Sequence, residues 1–257
     1  MDTIGFIGGG RVTRIFLKAF ENSGKELKGI SVFDPNPVVL ENLETLFPGI
    51  DANADDLSKA AGSSMVFLAV HPPFMMETLT AIKPLLDSDT IIVSLAPKFS
   101  IEKIASVLGD DSNIARINPS ASSYINQGIN PVCYAHSMNA DARASLVKLM
   151  KPLGAMPEVE ENKIEAYAMI SAMGHTYFWF QIQKLKELAV GFGMNEEEAK
   201  QVITGMMDGT VKTLFDSGLD YEDVIDLVPV KPLAPVENVI TGFFDDHLVP
   251  LFNKIKP

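Results

Sequence analysis

The feature that most restricts the fold of this chain is its opening: the apolar tetrapeptide Ile4–Ile7 runs straight into Gly8-Gly9-Gly10, and a helix-period stretch, Val12–Asn22, follows at once. Four uniformly apolar residues stopped by glycine are too few for a helix, and they read as a strand buried on both faces. A strand, a glycine turn and a helix in that order form the first half of a βαβ unit. In the pattern G-x-G-x-x-G, Gly8 permits the tight turn. Gly10 lets the backbone approach a pyrophosphate, which sits on the amides of the helix N-terminus. Those amides belong to Arg11 and Val12. The third small position is Thr13, a departure that predicts slightly wider helix–strand spacing.

A second strand, Ile30–Phe33, ends in Asp34, whose carboxylate can accept the hydroxyls of an adenosine ribose. A glycine-rich turn in another kind of doubly wound protein is the alternative, and the acidic residue in this place argues against it. The ligand that fits is a nicotinamide dinucleotide, NAD(P)H. The charge of Asp34 repels a 2′-phosphate and favours NADH, unless Arg11 and Lys98 offset it.

Short apolar runs continue to alternate with helical stretches, the pattern of a parallel sheet covered by helices. Pro37–Phe47 reads as a helix, and Met65–Val70 and Thr90–Leu95 as interior strands. Ile114–Ile117 and Asn130–Ala135 read as later strands of the same sheet. Near Gly154–Glu161 the strand runs stop. Lys163–Gly191 then reads as one long helix, with apolar Ala166, Ile170, Met173, Tyr177, Phe180 and Leu188 mostly three or four apart. Gly191-Phe192-Gly193 ends it. Asn195 caps a second long helix with Glu196, Glu197 and Glu198 in its first turn, and Ser217-Gly218 stops it.

The fold class is therefore α/β: an N-terminal Rossmann doubly wound parallel sheet over residues 1–156, followed by an all-α dimerisation domain over 157–257. The helical part carries more apolar Met and Phe surface than it can hide alone. A homodimer formed through the C-terminal helices is expected. Gly205 and Gly209 share one helix face, where another helix is expected to approach closely.

A formal net charge of −12 repels phosphate backbones and anionic lipid headgroups, so no nucleic acid and no membrane surface is expected as a partner. No run of about eighteen apolar residues suits a membrane span, and the N-terminus leaves no room for a signal peptide. Cys133 is the single cysteine and lies in an apolar run, which predicts an inert buried thiol and a reducing, cytoplasmic location. His71, His136, His175 and His247 lack metal-ligand spacing, so no metal is expected. His136 and His247 read as surface residues.

Taken together, the glycine loop, Leu68–Pro72 (LAVHP), Arg116–Ser122 (RINPSAS) and the segment EENKIEAYAMISAMGHTYFWFQI resemble the pyrroline-5-carboxylate reductase family. Members read "IGFIGAGNMA" at the first turn, "LAVKP" after the fourth strand, "RVMPNTP" later, and "TALSGSGPAYVF" on the helix. The resemblance runs from the first strand to about Gly218. It implies hydride delivery from nicotinamide to the carbon of a cyclic imine, with the small-molecule substrate held between the cofactor and a helical domain that interlocks with a second subunit.

Three substrate-side elements depart from the family. Ser-Gly-Ser-Gly-Pro becomes Ser171-Ala172-Met173-Gly174-His175. "SPGGTT" is replaced by Val228-Pro229-Val230-Lys231-Pro232-Leu233, and "QT" by Gly205-Met206.

On the cofactor side the resemblance singles out Ala69, His71, Pro72, Ala96 and Asn118, and on the substrate side Ser120, Ser171, Gly174 and Lys231. His175 replaces the family's proline over the nicotinamide. Its ordinary pKa of about 6.5 suits a proton donor to a C=O acceptor, and a histidine satisfied within a helical core or subunit interface is the other reading. His71 is a cofactor contact or a turn residue. Lys231 is a partner for a substrate carboxylate or a solvated lysine. Asn118 and Ser120 face the nicotinamide or serve as caps. Met169, Met173, Phe178, Trp179 and Phe180 read as packing.

The leading function is an NAD(P)H-dependent oxidoreductase acting on a small cyclic imine or related C=N or C=O metabolite. A hydroxyacid-type dehydrogenase and a dinucleotide sensor without turnover remain as alternatives.

Overall fold

A computed structural model describes residues 3–256. Among them, seven strands form one sheet: β1 (Ile4–Ile7), β2 (Ile30–Phe33), β3 (Asp51–Asn53), β4 (Met65–Leu68), β5 (Ile91–Ser94), β6 (Asn113–Ile117) and β8 (Val132–Tyr134), in the order β3-β2-β1-β4-β5-β6-β8. Two short strands, β7 (Gly128–Ile129) and β9 (Gly154–Ala155), pair with each other. The connections are α1 (Arg11–Asn22), α2 (Pro37–Leu46), α3 (Ser58–Ala61), α4 (Met75–Ile82), α5 (Ile101–Leu108) and α6 (Ala140–Met150). From β1 the chain builds outward through β2 and β3, then returns to the other side of β1 for β4, β5 and β6. Strand order therefore reverses between β1 and β4, where doubly wound sheets bind ligands.

The four residues of β1 are all buried, as a central strand requires. Phe16 brings α1 down on this strand. Its ring meets Phe6 edge-on with centroids 5.6 Å apart, while Phe6 stacks on Phe67 of β4 at 4.9 Å. Aromatic pairs of this kind add about 0.5–1.5 kcal/mol beyond their buried area.

Two expectations need correction here. The segment Asn130–Ala135 does enter the sheet, but β8 runs antiparallel to β6, with Arg116 opposite Cys133. A short return suffices for an antiparallel partner, whereas a parallel one needs a longer crossover. The polar strand β3 shows too little apolar character to be read as a strand.

The segment Lys163–Gly191 is not one helix. It forms α7 (Ile164–Tyr167), a π-helical turn over Ala168–Ala172, and then α8 (His175–Gly191). The Met173 amide bonds the Ala168 carbonyl at 2.9 Å, a five-residue span, and the Ser171 hydroxyl donates back to the Tyr167 carbonyl at 3.0 Å. Side-chain bonding of this kind loosens the α-helical ladder and gives the turn its wider loop.

The chain divides into two compact units at this point: one of the residues up to Met173 together with those from Phe252 on, the other Gly174–Leu251. The second unit holds α8, α9 (Glu196–Asp216), α10 (Tyr221–Asp226) and most of α11 (Glu237–Ile255). The cap of α9 is as expected. Asn195 accepts from the amides of Glu197 and Glu198, and the Glu198 carboxylate accepts from the Asn195 amide at 2.8 Å. Ala199 is the one buried residue of these four helices, and Phe192 between them is 80% exposed. Among the described residues nothing outside the helix's own turns comes within 4 Å of a Cβ built at Gly205 or Gly209, so the approach expected there is not made by those residues. No helix among the described residues is long and apolar enough to cross a membrane.

Candidate functional site

Register sets one edge of the sheet apart. Ile7 lies beside Phe33 and Leu68, Leu68 beside Ser94, and Ser94 beside Arg116. The residues that follow these strands share that carboxyl edge: Gly8–Gly10, Asp34, Ala69–Pro72, Leu95–Lys98 and Asn118–Ser120.

Gly8 is required there on two counts. Its φ is +108°, and a Cβ would stand 2.5 Å from the Ala69 carbonyl oxygen. Gly10, the residue before α1, is exposed with nothing within 4 Å of where its Cβ would be. It offers no side chain to cap the helix. The first amides of a twelve-residue helix therefore stand open beside bare backbone. That is the cradle a diphosphate needs.

Thr13, the departure from the third glycine, is fully buried and donates its hydroxyl to the Gly8 carbonyl at 2.5 Å. The substitution thus fastens the loop to the helix. Asp34 closes the other side. Its Oδ2 accepts from the Gly9 amide at 2.8 Å, and its Oδ1 from the Asn36 amide at 2.9 Å. A carboxylate has about four lone-pair sites, so capacity remains for ribose hydroxyls. Arg11 is exposed at the first position of α1, and Val12 is half-buried beside it.

On the β4 side, Ala69 is half-buried and His71 exposed, and Pro72 begins a short 3₁₀ turn. Ala96 is buried behind the β5 turn. Asn118 and Ser120, read as polar neighbours of the nicotinamide or as caps, both hydrogen-bond to the protein. The Asn118 amide donates to the Ile164 carbonyl at 2.6 Å. Ser120 is 1% exposed, its N–H donates to Asn130 at 2.9 Å, and its hydroxyl lies 2.9 Å from that of Ser122. In this structure they tie the end of β6 to its surroundings.

Ser171, in the π turn, belongs to the first unit. Gly174, His175 and Lys231 belong to the second. His175 starts α8 and stacks on Trp179, with ring centroids 5.6 Å apart and planes 16° apart. Lys231 is exposed on the wall of a cavity of about 780 Å³ between α8, α9, α10 and α11, whose lining also includes Tyr221, Gln181 and Glu237. His136 and His247 are exposed, and Cys133 is buried. Burial pushes the Cys133 thiol up to about 12, against the opposing pull of the Arg116 charge.

Sequence reasoning missed one charged cluster. Arg116 in β6 is 2% exposed. Its Nη1 donates to Glu161 at 2.9 Å and its Nη2 to Glu165, itself buried, at 2.5 Å. Glu161 also accepts from the Ile101 amide at 2.7 Å, joining β6, α5 and the segment before α7. Burial works against the Arg116 charge, but the hydrogen bond and the charge of Glu165, with help from Glu161, hold its pKa above the ordinary value. Arg116 Nε and Glu165 Oε2 are buried without a hydrogen-bond partner. An arginine inside the strand run Asn113–Ile117 is the signal that could have revealed the cluster, because a buried charge needs a partner.

Two family patterns match the chain. Residues 3–98 match the family described as NADP oxidoreductase, coenzyme F420-dependent, and residues 161–231 match pyrroline-5-carboxylate reductase dimerisation. Pyrroline-5-carboxylate reductase of Escherichia coli (strain K12) is 27% identical over 216 residues, covering 84% of this chain and 80% of the relative. That of Aquifex aeolicus (strain VF5) is 26% identical over 240 residues, covering 93% and 86%. Among solved structures, Plasmodium falciparum pyrroline carboxylate reductase with NADP bound superposes with a TM-score of 0.83 at 18% identity, covering 99% of this chain and 97% of that one. 1-Pyrroline-5-carboxylate reductase of Streptococcus pyogenes superposes at 0.82 and 18%, covering 99% and 98%.

Proposed function

We propose, from the premise that the chain belongs to the pyrroline-5-carboxylate reductase family as a distant member, that it is a cytoplasmic NAD(P)H-dependent reductase of a small cyclic imine and works as a homodimer. Residues 1–156 are assigned to dinucleotide binding and 157–257 to substrate binding and pairing. The observation that carries the reading is the uncapped N-terminus of α1 beside the open Gly10, with Asp34 fixed across the loop.

The amides of Arg11 and Val12, with the Arg11 guanidinium, would hold the diphosphate. Asp34 would take the ribose hydroxyls, and Ala69, His71, Pro72 and Ala96 would border the nicotinamide. The bound dinucleotide supplies a hydride to the electrophilic carbon. A protonated imine already carries the charge that attracts hydride, so the chain's own task is to orient the acceptor and exclude water. A C=O acceptor also needs a proton on its oxygen, and His175 is assigned as its donor. Ser171, Gly174 and Lys231 are the remaining substrate-side candidates. The fixed charge of Asp34 supports NADH over NADPH.

The test follows the absorbance of the reduced dinucleotide with a panel of cyclic imines and oxo acids. Consumption with a cyclic imine, faster with NADH, is expected. Tight NADH binding without consumption by any acceptor would replace the reductase with a sensor, and NADPH binding more than about tenfold tighter than NADH would overturn the preference.

A further inference from the structure

We infer that Lys98 is an anion-binding residue of the carboxyl edge, its ammonium taking either the substrate carboxylate or a phosphate of the dinucleotide. The identity of those two ligands rests on the function proposed above.

Among the described non-glycine residues, Lys98 (φ +67°) and Asn126 (φ +63°) have left-handed backbones. Asn126 has a local reason. Its amide donates to the carbonyls of Ala19 at 2.8 Å and Pro152 at 2.6 Å, and asparagine tolerates this conformation better than most residues. Lys98 has no such reason. It is half-buried, and its ammonium makes no hydrogen bond or ion pair with the described residues. A lysine held in a conformation suited to glycine, with its charge unspent, points to use by something outside the chain.

Its place says which something. Lys98 follows β5, whose Ser94 lies in register with Leu68 of β4 and Arg116 of β6. The segment carrying His71 and Pro72 leaves β4 at the same edge. Asp34 leaves β2, three strands away, or roughly 14 Å at about 4.8 Å per strand. Lys98 therefore follows a strand on the β4–β5 side of the switch point, three places from the strand that carries Asp34.

The neighbouring helix N-terminus is not a competing anion site. In α5 the Ile101 amide is bonded to Glu161 and the Lys103 amide to the Ser100 hydroxyl oxygen. In a chain with 33 acidic and 21 basic residues, an unpaired lysine at this edge supplies the local positive potential that an anion needs.

The test compares wild type with Lys98→Gly, Lys98→Asn and Lys98→Arg. Each is titrated with pyrrole-2-carboxylate and with inorganic pyrophosphate, and binding is read as the shift of the urea unfolding midpoint. Lys98→Gly is expected to unfold at a higher urea concentration than wild type without ligand, yet to bind one of the two anions about tenfold or more weakly. Lys98→Asn should lose the same anion, and Lys98→Arg should keep it. Loss confined to pyrrole-2-carboxylate assigns Lys98 to the substrate, and loss confined to pyrophosphate assigns it to the dinucleotide. Equal affinities of Lys98→Asn and wild type for both anions, or no binding of either by wild type, overturns the inference. Calorimetric titration of wild type with NADH and NADPH is scored separately, since failure there removes the cofactor reading and not the anion site.

Discussion

Replacing Arg116 with Met tests the buried charge cluster most directly. The guanidinium is 2% exposed and neutralises Glu165, equally buried, while Glu161 is one-third exposed and retains its bond from the Ile101 amide. Removing the cation leaves Glu165 charged in the interior without compensation. Breaking a buried pair from one side costs about 3–5 kcal/mol. With a urea dependence of about 1–3 kcal/mol per molar, the unfolding midpoint should fall by roughly 1–5 M. Such a loss is a large fraction of the 5–15 kcal/mol that typically holds a domain. The double variant Arg116→Met/Glu165→Leu removes both charges and both orphaned atoms, Arg116 Nε and Glu165 Oε2. It should recover most of the stability, because buried pairs replaced by apolar groups are often neutral or better. The assay is urea unfolding followed by far-ultraviolet circular dichroism at one fixed protomer concentration. A single variant costing under about 1 kcal/mol, or a double variant no more stable than the single, would refute the reasoning. Should the single variant fail to fold, rescue by the double carries the same information.

Three further outcomes follow from geometry already described. Thr13→Val keeps the shape but leaves the Gly8 carbonyl without its 2.5 Å partner, so it should cost about 1–3 kcal/mol and loosen NADH binding; Thr13→Ser with equal loss in both would show that the hydroxyl is irrelevant. Cys133 holds its proton more tightly folded than unfolded, with a pKa raised from 9.0 to about 12. Its contribution is thus complete below pH 9 and declines by up to about 1.4 kcal/mol per pH unit as pH rises through that window. A Cys133→Ala protein should lack this alkaline slope, and an identical slope in both proteins would count against it. His175→Phe should lower turnover of C=O acceptors by about tenfold or more while sparing imines; unchanged turnover of both would remove the proton-donor role.

How much of this was legible in the sequence depended on the range of the interaction. The strand Ile4–Ile7, its glycine loop and the cap at Asn195 are set by neighbours in the chain, and local pattern displayed them. The Arg116 cluster joins residues 45 and 49 positions apart, and no local pattern marks such a pairing. The π turn at Ala168–Ala172 escaped because apolar spacing is nearly the same in a helix that carries one widened turn. Asn118 and Ser120 lie at the edge, and the partners of their polar groups, Ile164 and Asn130, are brought near by the fold, which local pattern does not display. The strain at Lys98 is a backbone property with no compositional signature.

The four helices beyond Gly174 enclose a single buried side chain, Ala199. A region with so little fully buried interior of its own gains the most from cover supplied by a second copy. If a second copy supplies it, dilution acts on this half of the protein as a denaturant would, and abundance in the cell decides how much of it is folded. A mismatched partner chain would then impair its host by occupying a surface, without touching any reacting group.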